Sequence, residues 1–142
     1  MNANYNAPFF MSRFRGAIDY YSTLFDIYDS TLPAQHPERV IMEQEYQGRA
    51  ILNIVACEGL ERVERAEPYT SWHARSLRAG FTQMPISEST KAKIRALMTH
   101  FPRDFSIGED NGWFLAGWKG KVCYALSACQ PTSQMTSSKQ PP

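Results

Sequence analysis

The sequence has no long apolar run, no excess of charge of either sign and few cysteines, and each shortage removes a class of function. Its longest wholly apolar runs are a few residues, far below the roughly 20 that a membrane-spanning helix needs. No N-terminal stretch joins positive charge to a long apolar segment, so a secretory signal is not expected. Lys and Arg number 15 and Asp and Glu 14, for a net charge of +1, which gives no basic surface of the kind that tracks phosphates. The mildly basic stretch Lys91, Lys93, Arg95 and Arg103 reads as a solvated helix face. The three cysteines, Cys57, Cys123 and Cys129, show no C-x-x-C spacing. Cys123 and Cys129 fall on one side of a strand-like segment, too far apart to bridge. Reduced thiols in a cytosolic or nuclear protein are the expectation.

Motifs that carry chemistry are equally scarce. His36, His73 and His100 lie in separate segments without metal-ligand spacing. There is no G-x-S-x-G, no Walker loop and no H-E-x-x-H. Gly108, Gly112, Gly117 and Gly120 punctuate a hairpin region and do not open a helix after a strand, so they form no phosphate cradle. Glu109 and Asp110 pair only in a turn. No acid, base and pocket assemble, no cofactor is implied, and the chain is not expected to be an enzyme.

A length of 142 residues with 43% hydrophobic content suits one globular domain. After an Asn-rich lead-in ending at Pro8, the apolar positions Met11, Phe14, Ile18, Tyr21, Phe25 and Tyr28 recur at helical steps. This stripe is expected to face the core, with Arg13, Arg15, Asp19 and Asp26 off it. Pro33 to Pro37 breaks that helix, and Pro37 suits the first turn of a second, interrupted by Gly48 and expected to end near Gly59. In residues 58–67, EGLERVERAE, the spacings Glu58–Arg62 and Glu61–Arg65 would support a further helical turn. Pro68 opens a helix over 68–79 anchored by Trp72 and Leu77 and stopped by Gly80. Phe81 to Ile86 alternates as a strand, and Ser87 caps a helix bearing Ile94, Leu97, Met98 and Phe101 that Pro102 ends.

The last third changes period. Phe105 and Ile107 alternate, then Asn111-Gly112 and Lys119-Gly120 divide residues 113–118 and 121–129 into an antiparallel meander around Trp113 and Trp118. Residues 132–142 have the composition of a disordered tail. Broad aromatic helix stripes next to so few strands suggest the C-terminal part of a larger α/β domain, with a compact α+β domain as the alternative. An ion pair between Arg62 and Glu67 would fix a corner between helices. Trp72 and Trp118 are both expected to be buried, each with an acceptor for its indole N–H; a partner interface is the other reading of such Trp and Arg residues.

Taken in order, these motifs resemble the C-terminal part of the GRAS domain of plant transcriptional regulators, over about Tyr5 to Pro131. The opening NAPFFMSRFRGAIDYYSTLFD is similar to the start of the PFYRE region, placed at about 5–60. Arg62-Val63-Glu64-Arg65 is similar to the RVER element, and a SAW region follows over about 61–131. Its R-x4-E unit matches Arg62 and Glu67, its W-x7-G unit Trp72 and Gly80, and its W-x10-W unit begins at Trp118. GEDNGWFLAGWKGKVCYALS, which contains Trp113, most resembles the scarecrow-like, LISCL-type branch. The resemblance implies a Rossmann-like, methyltransferase-like α/β fold in which amphipathic helices precede an antiparallel β-meander. It implies a nuclear regulator acting through protein–protein interaction with DNA-binding transcription factors and other GRAS proteins, with homo- or heterodimers open and direct DNA binding or membrane association not expected. Cys129 stands where the family has its second tryptophan, and Gly16 where a glutamate is usual. The family's leucine-rich segments and VHIID region have no counterpart here, so an N-terminally truncated domain is expected. The rival readings are a methyltransferase-like small-molecule binder or a fragment without function.

Overall fold

A computed structural model describes residues 6–132. Most of the expected lead-in and of the 132–142 tail lies outside the described residues. The first helix, α1, spans Phe10–Thr31 and continues through Gly16 without a break. It stops where Leu32 turns extended, as the residue before a proline favours. Arg39 then donates to the carbonyl oxygen of Leu32 at 2.9 Å, beyond the last helical bond, and at 3.4 Å to that of Tyr28, which the Leu32 N–H also reaches.

Pro37 opens α2 (Pro37–Ile41), which continues as a π-helical segment (Met42–Gly48) and then α3 (Arg49–Val55). The expected second helix is therefore real, but wider in its middle and shorter at its end. It stops at Val55 rather than near Gly59, which sits at φ +53° in the loop beyond. Residues 58–67 form no helix. Helical pairs of the Glu58–Arg62 kind are worth only about 0.2–0.5 kcal/mol, and tertiary partners outcompete them. Glu58 turns back to pair with the buried Arg13, while Arg65 donates to Gly59 O at 2.6 Å. Asn53 clamps the same loop, donating to Glu64 O at 2.8 Å and accepting from Glu64 N at 3.2 Å.

Helix α4 (Tyr69–Arg78) follows Pro68 and ends at Gly80, whose φ of +79° suits a helix stop. Strand β1 (Phe81–Met84) leads to α5 (Glu88–Met98), capped by Ser87, whose hydroxyl accepts from Thr90 N at 3.2 Å. The meander is β2 (Phe105–Asp110), β3 (Trp113–Trp118) and β4 (Lys121–Leu126), in that order in the sheet. Asp110 pairs with Trp113 and Trp118 with Lys121. Both hairpins thus close with two residues at positive φ, 47° and 76° at Asn111-Gly112 and 47° and 80° at Lys119-Gly120. That conformation is the one whose twist matches the strands.

The expected single strand over 121–129 is two. After Leu126 the chain leaves the meander, and β5 (Ala128–Pro131) pairs antiparallel with β1 in a separate two-stranded sheet. Cys123 and Cys129 therefore belong to different sheets, the first buried and the second exposed; all three cysteines are free thiols.

The core gathers Ala17, Tyr20, Tyr21 and Leu24 of α1, Ala50 and Ile54 of α3, and Trp118 and Cys123 of the meander. The face of α1 that points inward carries Arg13, Ala17, Tyr20 and Leu24, displaced by about a quarter turn from the Met11-to-Tyr28 stripe. Tyr21 is shared, but Met11 and Ile18 of the stripe are exposed. Periodicity located an apolar face correctly and its neighbour wrongly. The meander approaches α1 from the Asp19–Asp26 side, and α3 covers the sector between.

Candidate functional site

The meander is fixed to α1 at Trp118. Its side chain is 1% exposed, and its ring meets Phe105 edge-on at 4.7 Å between centroids. Its indole N–H donates to Asp26 Oδ2 at 2.5 Å, and Lys119 Nζ lies 2.8 Å from the same oxygen. The Lys119 hydrogen bond first, and the indole second, hold the Asp26 carboxyl below its ordinary range, while Asp26 raises Lys119 in turn. One helical repeat away, Lys121 Nζ reaches Asp19 Oδ1 at 2.5 Å. Two acids seven residues apart on α1 thus meet two lysines flanking one hairpin turn, an i,i+7 against i,i+2 match that is present in the sequence.

The other expected residues lie elsewhere. Arg62 is buried, and its guanidinium is lowered by burial and by the neighbouring Arg65 and Arg13 charges. In place of a direct ion pair with Glu67, Arg62 Nη2 approaches Asn6 Oδ1 at 3.4 Å, and Asn6 Nδ2 donates to Glu67 Oε1 at 2.6 Å. Glu67 Oε2 in turn accepts from Arg75 at 2.6 Å, and the Arg75 guanidinium stacks 4.8 Å over the Trp72 ring. The corner is therefore a relay, Arg62 to Asn6 to Glu67 to Arg75 to Trp72. Trp72 is 47% exposed and Leu77 also lies open, which corrects the expectation that they anchor α4 in the core. None of the residues of α4 is buried; the helix is held through Tyr69 on Trp113 and Asp110 and through Arg75 on Glu67. Val63 is 82% exposed, while Glu64 and Arg65 are tied to the loop through the Asn53 clamp and Gly59.

Trp113 docks α4 on the first hairpin. Tyr69 tilts against its ring at 5.7 Å, and the Tyr69 hydroxyl donates to Asp110 Oδ2 at 2.6 Å, which raises the phenol above its usual range. With its amide oxygen towards the indole, Gln83 accepts from Trp113 Nε1 at 2.9 Å and donates to His73 Nδ1 at 2.9 Å and Asn111 O at 2.8 Å. The opposite orientation would oppose like groups. The structure thus brings Arg62, Glu67 and Trp72 into one relay, sets Trp113 against Tyr69 of α4, places Gly80 at the stop of that helix, and keeps Trp118 apart at the α1 junction.

Sequence reasoning passed over a set of buried polar side chains. Arg13 donates to Pro8 O at 2.9 Å and pairs with Glu58. Gln47 donates to Tyr28 Oη at 2.9 Å. Arg39 pairs with Asp29 and, at 2.6 Å, with Glu43, which together raise its guanidinium. The Arg13–Glu58, Gln47–Tyr28 and Arg39–Asp29 contacts span 45, 19 and 10 residues and leave no linear pattern, whereas Arg39–Glu43 has the i,i+4 spacing of a helical pair and could have been found. Each is used up in holding the chain's shape. Among the described residues no group of three or more His, Cys, Asp and Glu could hold a metal ion, and no helix is long and apolar enough to cross a membrane.

A second surface is open. The stripe residues Phe14, Ile18, Tyr21 and Phe25 of α1, with Ile51 and Val55 of α3, line a groove of about 260 Å³. Its floor adjoins the core through Ala17, and the hydroxyl-bearing Tyr21 and Ser22 are the side chains with polar atoms among its lining residues.

The profile of the GRAS domain family matches residues 1–130. Scarecrow-like protein 33 of Arabidopsis thaliana is 44% identical over 133 residues, covering 92% of this chain and 19% of the relative. Chitin-inducible gibberellin-responsive protein 2 of Oryza sativa subsp. japonica is 40% identical over 128 residues, covering 90% of this chain and 24% of its own. The chain thus spans about a fifth to a quarter of the length of such relatives. The crystal structure of SCL7 in Oryza sativa superposes with a TM-score of 0.83 at 26% identity, over 91% of this chain and 37% of that one. The α/β class expected from the resemblance agrees with that likeness.

Proposed function

The chain belongs to the GRAS domain family, and on that premise we propose that it serves a plant transcriptional regulator as a protein-contact surface in the nucleus, engaging DNA-binding factors and other GRAS proteins. The observation that carries this reading is the Trp72–Arg75 stack on exposed α4, held in place from behind by the Glu67–Asn6–Arg62 relay. Trp and Arg are the residue types that most often dominate protein interfaces. A ring stacked under a guanidinium that is itself bonded to Glu67 loses little conformational freedom on binding.

Direct DNA contact is disfavoured by charge. Lys91, in the one basic stretch, is already paired with Glu88 at 3.0 Å and Glu109 at 2.8 Å. A gel shift across a salt series should show no specific, steeply salt-dependent complex.

The test is a pull-down of residues 1–142 against full-length GRAS proteins and DNA-binding factors, with Trp72→Ala beside the parent chain. Capture by the parent, weakened at least about ten-fold in the variant, is the expected result for loss of an interface anchor. Uniformly negative capture by folded chain, or equal capture by Trp72→Ala, would sink the reading.

A further inference from the structure

Helix α4 is docked along one side and open along another. Tyr69 and His73, one turn apart, face the first hairpin, the one against Trp113 and the other bridged to Asn111 by Gln83. Trp72, Arg75 and Arg78 follow at three-residue steps along an adjacent side, and all are exposed. The helix sequence, YTSWHARSLR, contains no acid. The Arg75 guanidinium is held twice, by Glu67 at Nη2 and by its stack 4.8 Å over the Trp72 ring. Its further N–H donors remain open to a ligand, and the side chain is still 49% exposed. Arg78, at the end of the helix, pairs with no acid among the described residues.

We propose that this stripe docks an acidic–apolar segment of a partner protein, with a carboxylate on the Arg75–Arg78 pair and an apolar side chain against Trp72. The inference deepens the protein-contact reading of Trp72 and rests on it. Charge complementarity selects the occupant. The helix offers two guanidiniums and an aromatic ring without an anion, so a basic segment meets repulsion there. Glu67 lies against Arg75 and offsets part of its charge, which suits the single charge of a carboxylate better than the denser charge of a phosphate. Geometry adds to this. Arg75 enters binding already fixed between Glu67 and Trp72, so little rotamer freedom is lost. Its planar fork of donors matches the two oxygens of a carboxylate. Glu67 is thereby a positioning residue, although its own charge opposes that of the ligand.

Labelled synthetic peptides titrated with residues 1–142 and followed by fluorescence anisotropy test the proposal. One alternates Asp and Glu with Leu and Phe, a second has Lys in place of the acids, and a third has Ser in place of the apolar residues. The first should bind at least about ten-fold more tightly than either of the others. Arg78→Glu, an exposed substitution, should lower its affinity at least about ten-fold, while Lys93→Ala on α5 leaves it unchanged. Glu67→Ala separates positioning from charge alone. A released Arg75 should bind the peptide less tightly, whereas charge alone would give tighter binding. Near-ultraviolet circular dichroism checks the fold of that variant, and Arg78→Glu carries the test by itself if Glu67→Ala fails to fold. Equal binding of the three peptides, affinity indifferent to Arg78→Glu, tighter binding by folded Glu67→Ala, or preference for a DNA duplex over the acidic–apolar peptide would each overturn the proposal. Trp72-dependent capture in the pull-down without binding of that peptide would sink this inference and leave the proposed function standing. Peptide binding beside a uniformly negative pull-down would sink the named partners and leave the docking chemistry standing.

Discussion

Helix α1 presents two surfaces of similar apolar promise and opposite fate. On the Asp19–Asp26 side the meander has landed, and Trp118, Lys119 and Lys121 are each held by an acid of the helix. On the Phe14–Phe25 side α3 covers only part of the face, through Ile51 and Val55, and Ile18 remains open. The richer apolar stripe is the uncovered one. What distinguishes the covered side is directional bonding: an indole N–H, two ammonium groups and two carboxylates with matching spacing. Apolar area supplies free energy of association without selecting a neighbour, whereas hydrogen-bonded charges select a register. The comparison separates a contact fixed by directional bonds from an apolar face that has none.

The strongest way to break the contrast is at Trp118. Trp118→Ala should destabilise the meander junction by about 3–5 kcal/mol, the usual range for truncating a buried large aromatic, read as a lower urea midpoint and lost amide protection in β3 and β4. Gly117→Ala comes next. A Cβ there would lie 2.7 Å from the Lys121 carbonyl oxygen, a backbone atom at the bulge between β3 and β4. Overpacking of this kind should cost about 1–3 kcal/mol, with the loss confined to the same strands in hydrogen exchange. Asn53→Ala removes both bonds to the Glu64 backbone. It should cost about 1–2 kcal/mol, near the lower end of what an unsatisfied buried group costs, and proteolysis should then cut within residues 57–67 first.

The acid side of the junction adds a pH test. Asp26 has a folded pKa below its ordinary value, because Lys119 and then Trp118 bond its charged form. The unfolded chain therefore takes up that proton first. The stabilisation is complete above the unfolded carboxylate's range and is lost as pH falls through the folded value. Asp26→Asn should flatten the acid limb of stability against pH without altering the neutral limb's slope; an unchanged acid limb would show that the Lys119–Asp26 pair contributes nothing. The smallest stability effect belongs to the open side. Ile18→Asp should change the stability by no more than about 0.5 kcal/mol, as surface changes do, yet measurably reduce binding of an apolar dye. A large loss of stability there would erase the distinction between the two sides.

Local chemistry made much of the architecture legible. The two hairpins could be placed because Asn111-Gly112 and Lys119-Gly120 suit positive φ within four residues of chain. The starts at Pro37 and Ser87 and the stop at Gly80 were legible for the same reason. The loop over 58–67 was misread, since its charges satisfy helical spacing as well as they satisfy Arg13 and Gly59. The split of residues 121–131 between two sheets was not legible either, because β5 is chosen by β1 far back in the chain. At the candidate site, Trp118 was correctly expected to be buried and Trp72 was not, although the two look alike in sequence. Trp118 has Asp26 and Phe105 to close over it, while Trp72 sits on a helix with no buried face.

The sequence by itself determined where several elements start or stop, at Pro37, Gly80 and Ser87, which turns close the meander, and, through the order of its motifs, which family the chain resembles. Those features depend on φ preferences, missing amide donors and periodicity, all of which act within a few residues. Only the tertiary structure decided which side of α1 would be inside, that Arg62 reaches Glu67 through Asn6, and that Trp72 would face outward under Arg75. Those outcomes turn on competition among contacts between distant segments, where a buried hydrogen bond to one partner outweighs the general preference of apolar surface for any partner at all.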